Sequence, residues 1–312
     1  QLVMELGGKH LDISGLIPGL GGLGGESSKD GSPMTIDAAV DRLTLRTGLD
    51  LRKAKLALVT GKSGLETFTA TGVAGGAAPL SASIDARGDG APRIKVASGD
   101  AGFLAAAFLD ADFISGGTLE LNGTLEQGNK PAELLVEISN ARMSNAPFLT
   151  QILSLASLRG LSDTLSGEGV MFSRIDLPLK ISGGRYIIAG AKAQGPALGL
   201  TASGFIDSKS TDIEIDGVLV PSFGVNSALG GIPIIGDLVV GRDGEGVFSL
   251  TYGVSGKLEK ASVSVNPLSA IAPGVIRRIF ENPSDTKIPE AKPRAPDAPL
   301  PKELPAIKNE TF

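Results

Sequence analysis

The chain has 312 residues, with 29 Lys and Arg against 34 Asp and Glu, and a formal charge of −5 at pH 7. It lacks the basic excess a nucleic-acid binder needs, and with no Cys it holds no disulfide, thiolate nucleophile, zinc-thiolate site or iron-sulfur cluster. Apolar residues make up 42% of positions, enough for a large core, while 43 Gly, 19 Pro and few aromatics favour many short elements joined by turns.

Residues 1–14 carry a short strand signal, with Leu11 and Ile13 alternating with Asp12 and Ser14, and 15–33 form a Gly/Ser-rich loop. From Met34 the alternation is sustained: Met34, Ile36, Ala38 and Val40 share one face, and Leu43 and Leu45 follow after a shift of one. A period of two with one apolar face predicts half-buried antiparallel strands. The pattern returns at Ala54, Leu56 and Leu58, at Leu80, Ala82 and Ile84, at Ile94 and Val96, and at Leu119 and Leu121. It continues at Leu134, Val136 and Ile138, at Ile175, Leu177, Leu179 and Ile181, and at Leu198, Leu200, Ala202 and Ile206. Ile213, Ile215 and Leu219, then Phe248, Leu250 and Tyr252, then Val263 and Val265 complete roughly a dozen strands, more than one flat sheet carries without curling or splitting.

Three segments break the period. Ser98 and Asp100 cap a helix carrying Phe103, Leu104, Ala107 and Phe108. Asn145 and Pro147 start a second, with Phe148, Leu149, Ile152, Leu153, Ala156 and Leu158, stopped by Gly160. Asn266-Pro267 and Pro273 introduce a third, ending at Phe280. An internal echo places Ile114-Ser115-Gly116-Gly117, Gly123 and Gln127-Gly128 each 67 residues before Ile181-Ser182-Gly183-Gly184, Gly190 and Gln194-Gly195, which suggests a duplicated strand-turn-strand unit. The expected organisation is a β-groove segment over 1–98, a second domain over 99–280 and a Pro-rich disordered tail over 281–312, where seven prolines fall among 32 residues. The fold class is mainly β: a large curved antiparallel sheet forming an apolar groove, with two or three short amphipathic helices. Val218 to Gly241 is the nearest approach to a membrane span, but Pro221, Pro233 and several glycines suit strands and turns better. Gln1 is followed by neither a basic segment nor a short apolar run, so the chain reads as part of a longer protein.

Catalytic patterns fail on inspection. Gly19 to Gly24 fits the dinucleotide fingerprint by letter, but Pro18 precedes it and a Ser-rich stretch follows. Gly61-Lys62-Ser63 reads as a hairpin turn, since Leu56 stands where a phosphate loop needs glycine. His10 is the only imidazole, which removes two-His metal sites. Asp110 and Asp112 open a calcium-like loop whose closing carboxylate position holds Leu121. Ser284 to Lys287 lies in the tail, and Asp85, Arg87 and Asp89 read as a solvated turn. No enzyme, cofactor or metal site is expected.

A half-apolar sheet must bury that face against another layer, against itself, or against a ligand. Moving an acyl chain of about 16 methylenes through water costs roughly 13 kcal/mol at about 0.8 kcal/mol per methylene. A continuous trough of Leu, Ile, Val and Ala removes most of that barrier. One hydrocarbon leaflet, about 15 Å deep, matches the span of roughly five strand residues.

Asn145-Ala146-Pro147-Phe148-Leu149 through Leu158, with Gly160-Leu161 and Leu165-Ser166-Gly167-Glu168-Gly169, is similar to the C-terminal region of AsmA-like proteins of the YhdP type. So are Ile232-Pro233-Ile234-Ile235-Gly236 with Gly244 to Phe248 and Tyr252 to Gly256, and Val265-Asn266-Pro267-Leu268-Ser269 with Ala272-Pro273-Gly274, a likeness running from about Phe103 to Phe280. The resemblance implies a Gram-negative envelope protein held in the inner membrane by an N-terminal helix outside this chain. It further implies a β-groove that crosses the periplasm and carries phospholipids between inner and outer membranes. The candidate lipid contacts are Leu134, Val136, Ile138, Leu177, Leu179, Ile181, Leu200, Ile213 and Ile215. The helix bearing Phe148, Leu149, Ile152 and Leu153 is expected to cap the groove or lie in a membrane interface, and Arg277 and Arg278 to meet anionic headgroups. The alternatives are a non-enzymatic scaffold that recruits envelope proteins through the Pro-rich tail, or an outer-membrane protein assembly factor.

Overall fold

The computed structural model describes residues 2–15, 33–62, 64–88, 90–221 and 249–266. Fourteen strands form one sheet: β1 Leu2–Asp12, β2 Met34–Arg46, β3 Leu49–Gly61, β4 Gly64–Ala74, β5 Ala78–Asp85, β6 Arg93–Ser98 and β7 Ile114–Thr124 make its first half. β8 Ala132–Met143, β9 Val170–Ser182, β10 Arg185–Gln194, β11 Leu198–Asp207, β12 Asp212–Pro221, β13 Leu250–Lys257 and β14 Ser262–Asn266 make the second. Spatial order equals chain order, and every neighbouring pair is antiparallel except β1 and β2, which run parallel. Fourteen strands at about 4.8 Å spacing extend for roughly 60 Å along the sheet, a width at which twist forces open sheets to curl.

Directly paired residues share a face, so the register turns separate alternations into one surface. Ile36 faces Leu58, Leu58 faces Phe68, Phe68 faces Ile84 and Ile84 faces Ile94. The line continues through Val96, Leu121, Val136 and Leu177, and on through Leu200 and Leu219 to Leu250. The opposite face carries Lys95, Glu120, Glu137, Asp176 and Lys180, with cross-strand ion pairs such as Lys180–Glu133 at 2.9 Å. The sheet is thus apolar on one side and charged on the other. Glycine lets the strands crowd together on the apolar side: a Cβ on Gly123 would meet the Glu133 carbonyl at 2.1 Å, and one on Gly204 the Glu214 carbonyl at 2.0 Å.

Among the described residues, three α-helices occupy two strand connections. α1, Ala101–Leu109, joins β6 to β7; α2, Pro147–Leu155, and α3, Arg159–Ser166, join β8 to β9. The Asp100 carboxylate accepts from the Phe103 amide at 3.0 Å, the expected cap. The single helix expected from Pro147 to Leu158 is instead two. Ser157 takes a left-handed φ of 59° and turns the chain before Arg159, so Gly160 lies inside α3 rather than ending a helix. Because the two helical connections are two strands apart in an antiparallel meander, both stand at the same end of the strands.

The echo does not mark a duplicated unit. Gly183-Gly184, with φ of 59° and 91°, forms the two-residue turn between β9 and β10, whereas Gly116-Gly117, also at positive φ, sits inside β7 opposite β8. The repeat is one of local backbone conformation. The sheet is hydrogen-bonded without a gap across residues 98 and 99, from β6 to β7. The 15–33 loop beyond Gly15 and before Pro33, the third helix and the Pro-rich tail lie outside the described residues, as do Arg277 and Arg278.

Candidate functional site

The apolar face is the candidate site, and its burial changes along the molecule. At the helical end of β2–β4, α1 covers Leu43, Leu51, Ala54 and Ala74 with Phe103, Leu104 and Ala107, giving a closed core. From β9 to β13, α2 and α3 press Leu149, Ile152, Leu153 and Leu165 onto Phe172, Leu198, Leu219 and Leu250. Between these covers, toward the end of the strands remote from the helices, Leu58, Phe68, Ile84, Ile94, Leu121, Leu134, Leu177 and Leu179 are only half-buried. Their neighbours in the sheet shield their flanks, and no second layer of described residues closes over them.

The predicted contacts fall on both sides of this division. Leu134 pairs with Leu179, Val136 with Leu177, and Ile138 with Ile175, so β8 and β9 present one contiguous apolar strip. Leu134, Leu177 and Leu179 are half-buried; Val136 and Ile138 lie deeper, near Ala101 of α1. Ile181 is buried in a small cluster with Ala132 and Tyr186. Leu200 and Ile215 are half-buried against the α2 and α3 core, and Ile213 is 2% exposed within it. Ile213 and Ile181 are thus enclosed by neighbouring side chains of the protein itself. Phe148, Leu149, Ile152 and Leu153 all turn toward the sheet, with Leu153 fully buried. These four side chains pack over one end of the face, while Leu155 of the same helix stays 58% exposed.

Several lining residues went unnoticed in the sequence. Met4 and Leu6 extend the face onto β1, Phe68 and Ala70 onto β4, and Tyr186 and Ile188 onto β10. The signal on β10 is broken by Gly190, at φ 81°, where a bulge moves the inward positions from Tyr186 and Ile188 to Ala191 and Ala193.

Outside this face, the polar residues singled out in the sequence fall into local pairs and turns. His10 Nε2 lies 2.8 Å from Thr44 Oγ1, whose hydroxyl donates to Asp50 at 2.6 Å. With that proton committed to Asp50, Thr44 accepts from the imidazole, so the ring is no base for the hydroxyl. Arg87 makes a bidentate pair with Asp85 at 3.0 Å, holding that exposed carboxyl at about 2, while Asp89 lies outside the described residues. Asp110 ends α1 in a left-handed conformation and pairs with Arg46. Gly61 pairs with Gly64 across the β3–β4 turn, a hairpin as expected. Among the described residues, no three His, Asp or Glu side chains gather as metal ligands, and no helix is long and apolar enough to cross a membrane. Two shallow depressions lie apart from the half-open strip: about 410 Å³ along Thr69, Thr71, Ser81 and Lys95 of the polar face, and about 350 Å³ beside Arg185, Phe205 and Glu214.

No family model, no curated protein and no solved structure matches the chain. The likeness to AsmA-like proteins rests on the sequence blocks quoted above.

Proposed function

We propose that the chain is a lipid-conducting segment of a cell-envelope protein, in which phospholipid acyl chains travel along the apolar face between the two helical covers. One observation carries this reading: the apolar face extends across the strands, and among the described residues its middle is only half-buried although it is lined by Leu, Ile, Val and Phe. Such a surface stays in water only at a cost of about 25 cal/mol per Å². Small and branched side chains without convergent polar groups suit a guest recognised by its hydrocarbon, and the charged opposite face suits an aqueous compartment such as the periplasm. Headgroups would remain in water at the strand ends remote from the helices. The AsmA-like resemblance supports the same reading and supplies the two membranes, inner and outer, between which the lipid would pass.

The test is photo-cross-linking in cells. A photoreactive residue at Leu121, Leu134 or Leu179 is expected to capture phospholipid, and one at Glu137 or Lys180, on the opposite face of the same strands, is not. Protein recovered free of lipid from all three apolar positions, or lipid captured equally from both faces, overturns the proposal.

A further inference from the structure

We propose that Asn122 is an acceptor for N-linked glycosylation, taking its sugar from a polyprenyl diphosphate carrier and holding it against the polar depression of about 410 Å³ on the charged face of β4 to β7. Asn122-Gly123-Thr124 has the form Asn-x-Ser/Thr with no proline at the middle position, the acceptor pattern of exported chains. The tripeptide is short, so its place in the fold decides. Asn and Gly both suit strands poorly, yet they stand side by side within β7. Gly123 has a packing reason, since a Cβ there would meet the Glu133 carbonyl of β8 at 2.1 Å. Asn122 has no such reason. It is exposed, and among the described residues its side-chain amide has no hydrogen-bond partner.

The strand period places Glu120, Asn122 and Thr124 on one side of β7, and the register fixes which side. Asn122 pairs with Lys95 and Lys95 with Ser83, whereas the apolar line passes through Leu121. A glycan on Asn122 therefore leaves from the charged face and keeps clear of the apolar strip. The depression beside it is lined by Asn122 itself, the hydroxyls of Thr69, Thr71, Ser81 and Ser83, and the Lys95 ammonium. These groups donate and accept hydrogen bonds, as the hydroxyls of a sugar require. In the transfer, the Asn122 side-chain nitrogen bonds to the anomeric carbon of the sugar. The bond from that carbon to the diphosphate oxygen breaks, the polyprenyl diphosphate leaves with the electron pair, and the amide releases one proton. Because β7 is hydrogen-bonded to both β6 and β8, transfer precedes its entry into the sheet, while the exported chain is still extended. The inference rests on the envelope reading for its compartment alone and is indifferent to what fills the apolar face.

The experiment is mass spectrometry of the chain isolated from the envelope fraction of the cells that produce it, beside Asn122→Gln, Thr124→Ser and Thr124→Ala variants. One glycan is expected on the peptide carrying Asn122, kept in Thr124→Ser and lost completely from Asn122→Gln and Thr124→Ala. Asn309-Glu310-Thr311 has the same form and serves as the comparison; Asn309→Gln is expected to leave the Asn122 glycan in place. The peptide map of the wild-type chain is decisive by itself, so a variant that misfolds does not blur the result. Wild-type chain recovered from the envelope with Asn122 bare, or with a glycan on Asn309 alone, overturns the proposal. That outcome leaves lipid capture at Leu121, Leu134 and Leu179 untouched. Chain absent from the envelope fraction overturns both readings together.

Discussion

The helical cover and the open middle are two regions of one apolar face built from the same alternation, yet they differ in what closes them. Under α2 and α3, Phe172, Leu198, Leu219 and Leu250 are fully enclosed; on neighbouring strands, Leu121, Leu134 and Leu179 are half-open. The strands are alike in length and pattern. The difference comes from the connections: among the described residues, those after β6 and β8 return helices across the face, and both return at the same end. Burial is thus assigned by the loops, while the sheet supplies a uniform apolar surface.

That contrast breaks most sharply under truncation. Leu153→Ala, at a fully buried position of α2, is expected to cost about 3–5 kcal/mol, the transfer loss plus a cavity that α3 prevents from collapsing. Leu121→Ala, in the open strip, removes side chain that is already half in water and is expected to cost about 1 kcal/mol. Denaturant titration of both variants measures the gap. Equal losses at the two positions would mean that something covers the strip in solution. A ligand held on it would reveal itself by raising the Leu121→Ala penalty, since binding to the folded state adds to stability.

A middle-sized effect is expected where a cover meets the sheet. Gly102 of α1 lies against β7, and a Cβ there would meet the Ile114 carbonyl at 2.6 Å and the Ser115 Cα at 2.8 Å. Gly102→Val must lift α1 from the sheet, at about 1–3 kcal/mol. Hydrogen exchange should place the loss in α1 and in the ends of β3 and β7 beneath it, leaving α2 and α3 protected. Uniform loss across both covers would show that the two ends of the face do not behave independently.

Much of this division was legible in the sequence. The apolar positions of β2, β5 to β9, β11 and β12 follow from alternation alone, and register then sets most of them side by side on one face. Where the pattern failed, a backbone event moved it: the Gly190 bulge shifted β10 by one residue, and the left-handed Ser157, a residue with no special liking for that conformation, split the expected helix in two. Ile213 illustrates a different limit. Its spacing is identical to that of Ile215, but it is enclosed in one cluster with Ile206, Val254 and Val263, side chains from other strands that alternation along β12 does not reveal.

The smallest effect tests the covered region through its pH dependence. Tyr252 lies in the core under α2, its hydroxyl donating to the Thr201 carbonyl at 2.7 Å, and burial pushes the phenol well above its ordinary value of 10.0. A group whose proton is held more tightly in the folded state contributes full stability below the unfolded value, and that contribution drains as pH rises beyond it. Near pH 8, Tyr252→Phe is therefore expected to be less stable by about 1 kcal/mol, the net worth of the lost hydrogen bond. Above about pH 10 the unfolded wild-type chain releases this proton and the folded one does not, so the wild type weakens by as much as about 1.4 kcal/mol per pH unit while the variant lacks this slope. The gap should narrow and then reverse. Tyr186, also raised by burial, is present in both proteins and cancels from the comparison. A difference that stays constant from about pH 8 to pH 11 would mean that the phenol reaches water when folded, and that the cover over β13 is as open as the strip beside it.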